Sequence, residues 1–232
     1  MKKENLKTTI DNIHVEGFTN FGFDDINGGC YLLNQNIPNK WIKIFFEIND
    51  NEKYIYLNIH LNINFVVVTK ILNEVLEIDY RAEYPYLWDN SDTISIGKEL
   101  FSEINSVSNR PTLELTITKQ NVDIFYDQIQ FIFNTFLKPF INFYSDLDEI
   151  NNEIIEKKSS DEWHNFIPGE TIFKILIIMK LCENKKYDAF LAEYKSSIEN
   201  AINNGNSRYI PYYNNLVKVT EYIDSGDYKQ FL

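Results

Sequence analysis

Between residues 53 and 65 the chain reads KYIYLNIHLNINF. Ile55, Leu57, Ile59, Leu61, Ile63 and Phe65 fall on one parity, and Tyr54, Tyr56, Asn58, His60, Asn62 and Asn64 on the other. Successive side chains of an extended strand point to opposite faces, so this period of two predicts a strand with one apolar and one polar face. WIKIFFEIND, residues 41–50, behaves alike: Ile42, Ile44, Phe46 and Ile48 alternate with Trp41, Lys43, Phe45, Glu47 and Asn49. The polar run NDNE turns the chain between the two, which predicts an antiparallel hairpin with one face buried and one wet. CYLLNQNI, closed by Pro38, is a further strand candidate, as are TISIG and TLELTIT, the last with Leu113, Leu115 and Ile117 on one parity.

Elsewhere the period lengthens. Leu6, Ile10 and Ile13 stand at helical spacing and predict a short first helix, after which Gly17, Gly22, Gly28 and Gly29 free the chain. Val67, Ile71, Leu72 and Val75 recur at three and four, so the strand is expected to run directly into a helix ending near Glu77, although FVVV also suits a longer strand. DYRAEYPYLWDNSD, with Pro85 and four aromatic residues, reads as a loop. Beyond residue 120 the character is helical. Asn121 is a candidate N-cap, and Ile124, Ile129, Phe133 and Phe136 lie among many apolar positions before Pro139, which is expected to end or kink the helix. Ser145 opens a second stretch, with Asp148 or Glu149 placed for a capping interaction. A helix pair over residues 171–184 and 187–203 follows, tetratricopeptide-like in its lengths and closed by Gly205, then a last short helix around Leu216 to Tyr222. Together these elements predict an α+β fold: an antiparallel sheet of four or five strands with flanking helices and a C-terminal helical layer. Residues 1–120 form the α+β sheet region and residues 121–232 the helical region, expected to pack as one compact unit.

The 232 residues are 44% hydrophobic and 15% aromatic, enough for a buried core. Lys and Arg number 22 against 34 Asp and Glu, a net charge of -12, which disfavours nucleic acid and suits a basic protein partner if it does more than keep the chain soluble. The N-terminal MKKENLKTTIDNI has no apolar core or cleavage site of a secretory signal. The densest apolar run, IFKILIIMKLC, is short and broken by Lys174 and Lys180, so it predicts a buried helix rather than a membrane span. Cys30 and Cys182 have no partner spacing for a disulfide framework or a zinc site, and Cys182 reads as an inert core thiol. A cytoplasmic protein is the simplest expectation, with no membrane, metal or cofactor. The oligomeric state is open. Heavy use of Asn, Ile, Lys and Tyr suggests an AT-rich coding bias, so single Asn residues carry little meaning.

The chain holds three histidines, His14, His60 and His164, none with a second His or a carboxylate at metal-binding spacing. His60 reads as the wet face of a strand, and His14 as a cation near a helix C-terminus. DEWHNF sets Asp161, Glu162 and His164 close together, which keeps open an alternative reading as an enzyme or small-ligand-binding protein with a site near His164. SDLDEINNEIIE places Asp146, Glu149, Glu153 and Glu156 at three- and four-residue spacing. That pattern predicts one acidic helix face, either a solvated surface or a docking surface for a basic partner. No phosphate loop or nucleophile elbow is present in the sequence. Aromatic residues concentrate in YRAEYPYLW, with Tyr86 and Trp88, and in SRYIPYYNN. Loop tyrosines and tryptophans are enriched at protein interfaces, although core cover is the plainer explanation.

The order of a short helix, a Gly-Phe link (EGFTNFGF), three strands and a helix ending in LKPFINFYSDLDEINNEI resembles an uncharacterised bacterial family of unknown-function domains. In that family a strand meander leads to a helix ending in a Pro-Phe pair, here Pro139 and Phe140, followed by a short acidic helix, here SDLDEI. The resemblance covers roughly residues 5–155 and does not extend to the helical tail after 165. It brings no catalytic residues. It implies an immunity-like role, in which a non-enzymatic protein neutralises a bacterial toxin by occluding it, with Asp146, Glu149, Glu153, Tyr86 and Trp88 as candidate partner-binding residues. A structural homodimer subunit is the other alternative.

Overall fold

The computed structural model describes the backbone of residues 23–26, 30–33, 40–50, 54–76, 94–95, 113–118, 131 and 133–232, and within these the side chains of 40, 42, 61–76, 94, 131 and 133–232. The predicted first helix, the candidate cap Asn121, His14, Tyr86 and Trp88 lie outside the described residues.

The strands are β1 (Phe23–Ile26), β2 (Cys30–Leu33), β3 (Lys40–Asp50), β4 (Tyr54–Phe65), β5 (Ile94–Ser95) and β6 (Leu113–Thr118). Their backbones pair in the order β1-β2-β3-β4-β5, with β6 also on β4. The β4 and β6 ladder is antiparallel, from Tyr54 opposite Thr118 to Ile59 opposite Leu113, and Ile63 stands opposite Ile94 of β5. The alternation in the sequence matches β3, β4 and β6, whereas β1 falls in the stretch EGFTNFGFDDINGG that reads as a turn-rich link.

The expectation of an α+β fold built on a four- or five-stranded sheet is corrected: among the residues whose side chains are described, 71% are helical and 7% are strand, with a single strand and no sheet. The reason is one of scale. Period-two alternation reports the local backbone, whereas the run from Phe133 to the C-terminus is largely helical and supplies most of the described residues. Polar parity also misleads at the end of β4, where Asn64, on the parity of His60, is buried beside Ile63 and Phe65.

By its contacts the chain divides into one unit of Met1–Asn64, Glu83–Asp89 and Ile94–Ser145, and a second of Phe65–Ala82, Asn90–Thr93 and Asp146–Leu232. In the first, a π-helical turn at Phe133–Leu137 leads into α2 (Lys138–Phe143), with Phe133, Leu137 and Phe140 buried. Pro139 lies in the first turn of this helix, just after the π-helical turn gives way to the α pattern, so the helical run changes register at the proline instead of ending there. The Lys40 ammonium donates to the Ser145 carbonyl at 3.1 Å.

The second unit opens where β4 passes directly into α1 (Val66–Leu76), the predicted change of period. The three valines at its start are accepted as helix because Val67, Val68, Ile71, Leu72 and Val75 make one buried stripe, and packing overrides the weak β preference of branched residues. After α3 (Leu147–Ile150) come α4 (Thr171–Leu181), α5 (Tyr187–Asn203) and α6 (Tyr209–Ser225). Helix α1 packs on α4 and α6, and α5 packs on both α4 and α6. Seven consecutive residues of α4, Phe173 to Met179, are buried, which matches the buried helix read from IFKILIIMKLC. One of them is Lys174, whose ammonium donates to the Pro168 carbonyl at 2.6 Å, so the buried charge is held by a polar partner. Helix α6 begins at Tyr209, well before the expected Leu216. Pro211 sits in its first turn, and SRYIPYYNN is thus mostly helix and not loop.

Candidate interaction surface

Among residues 146–158 there are five carboxylates and two lysines. The segment is α3 followed by a π-helical turn at Asn151–Ile155, so the four predicted acidic positions do not share one regular α-helical face. Asp146 is not in the helix at all. It is the N-cap, in extended conformation, and its carboxylate accepts the Glu149 amide at 3.0 Å. The sequence placed the cap at Ser145; the anionic residue one step on does the work, as expected where free amides and the helix dipole favour negative charge. Ile150, Ile154 and Ile155 are buried and fix the segment to its unit. At ~1.5–3 kcal/mol for each buried isoleucine, they outweigh any single surface ion pair.

Several of these carboxylates already have partners within the fold. Glu153 accepts from Lys157 at 2.5 Å. Glu156 accepts from Lys186 and, at 2.8 Å, from the Asn184 amide, and the Lys186 hydrogen bond is the main reason its carboxyl is held below the usual range. Asp148 is exposed beside Cys182. Burial first, then the neighbouring Asp148, pushes the Cys182 thiol up to about 12, which disfavours the thiolate; the residue is half-buried at the end of α4 rather than in the core the sequence suggested.

The residues of the alternative site do not form one. Asp161 and His164 are exposed. The Glu162 carboxylate is taken by the hydroxyl (2.6 Å) and amide (2.9 Å) of Ser159, the hydroxyl being the larger reason that its carboxyl is lowered. No group of three or more His, Cys, Asp or Glu able to hold a metal occurs among the described residues. His60 lies in β4 and Cys30 in β2, both described through their backbone alone.

Several aromatic residues of the tail form one connected cluster. Phe173 stacks on Tyr212 at 4.8 Å between ring centroids, Tyr212 meets Tyr194 edge-on, and Tyr194 stacks on Phe190, which meets Trp163 edge-on. The Tyr194 hydroxyl donates to that of Tyr212 at 3.2 Å, and burial raises the Tyr212 hydroxyl well above its ordinary value. Tyr213 donates to Glu199 at 2.6 Å. Of SRYIPYYNN, Tyr212 and Tyr213 are thus tied into the helical unit, whereas Ser207, Arg208, Ile210, Pro211 and Asn214 are exposed. Sequence reasoning missed Asn184, which joins the acidic segment to the α4–α5 turn. No local signal marks it, because its partners are 28 and 33 residues away.

No helix among the described residues is long and apolar enough to cross a membrane. Compared with protein-family models, with curated proteins and with solved structures, the chain matches none.

Proposed function

We propose that this is a non-enzymatic binding protein of the cytoplasm that engages a basic protein partner, as an immunity protein does when it occludes a toxin. The observation that supports this reading best is the segment 146–153, where Asp146, Asp148, Glu149 and Glu153 are displayed over isoleucines that hold the backbone in place. Held charges recognise a partner at lower entropic cost than mobile ones, and an acidic patch on a chain of net charge -12 speeds encounter with a cation-rich surface. The resemblance of the Pro139 and Phe140 region to an immunity-like bacterial family points the same way.

The test is co-expression with the products of neighbouring genes, scored by pull-down and by growth. A basic neighbour that is toxic alone and harmless in complex supports the reading. With that partner, Glu149→Lys combined with Glu153→Lys should slow association about tenfold or more at low salt and much less at high salt. Unchanged association at low salt removes this surface from the interface.

A further inference from the structure

We draw no further inference here: the strongest candidate, the surface patch between residues 131 and 144 in which Phe131 and Phe143 stand exposed, edge-on to Phe136 and Tyr144, carries nothing because nothing in the structure shows what covers it.

Discussion

Helices α4 and α5 end with the same backbone closure and different residues. At the end of α5, Gly205 donates to Ile202 at 2.9 Å and Asn206 to Ala201 at 3.0 Å, and the turning residue Gly205 has φ +89°. At the end of α4, Glu183 donates to Lys180 at 3.1 Å and Asn184 to Met179 at 2.8 Å, and the turning residue is Glu183 at φ +50°. Both are Schellman closures, in which the last free carbonyls are satisfied by a left-handed residue. One uses the residue suited to that conformation and the other does not. The difference follows from what the helices bury. Helix α4 is buried over seven consecutive positions, whereas α5 buries only Tyr187 and Ile198, so a strained terminus is tolerated where the core is strongest.

The contrast predicts a ranking of effects. Phe173→Ala, which empties a side chain 1% exposed and removes the stack on Tyr212, should cost about 3–5 kcal/mol in denaturant titration. Glu193→Ala on the exposed side of α5 should stay within about 0.5 kcal/mol. Similar losses at both sites would mean that α4 is not the core helix.

The two closures should respond in opposite directions. Gly205→Ala should destabilise by about 1 kcal/mol. A Cβ there meets nothing within 4 Å, so the cost is backbone strain alone. Glu183→Gly should stabilise by up to about 1 kcal/mol as that strain is relieved, offset in part by the greater freedom of the unfolded chain. A loss at Glu183→Gly would show that the glutamate is held there by something other than the turn.

A small, pH-dependent effect is expected at Glu156, which ties the α4–α5 turn to the acidic segment. Its folded carboxyl is held below the ordinary 4.5, chiefly by Lys186, so the stability it contributes is present above that value and is lost as pH falls through the lowered one. The group is reached by solvent, and screening limits the contribution to about 0.2–1 kcal/mol. Denaturant midpoints measured between about pH 6 and pH 3 should therefore fall slightly more steeply than those of Glu156→Gln. Parallel curves would remove the ion pair from the account.

Much of the local structure was legible. The alternation of residues 53–65 gives β4, the change to spacing of three and four gives α1 at the next residue, and Gly205 marks where α5 stops. The Tyr187–Asn203 helix is placed at both ends from its pattern. The candidate site was half legible. The density of carboxylates near residue 150 is plain in the sequence, but its cap at Asp146, its π-turn and its bridge to Asn184 are not. The aromatic run at 208–213 shows the same limit. Composition alone does not distinguish an interface from a core, and it is the stacking of Tyr212 on Phe173, 39 residues earlier in the chain, that ties this one ring of the run to the core.

The sequence by itself determined that residues of β4 are extended, that α1 and α5 are helical and that α4 is buried, because these depend on side-chain periodicity over neighbouring residues. Only the tertiary structure decided that helix dominates the residues whose side chains are described, that Lys174 is buried and that Asn184 bonds the acidic segment. Those features depend on contacts between elements distant along the chain. A hydrogen bond or a packed ring contributes only when its partner arrives, and nothing in a local window states which partner that will be.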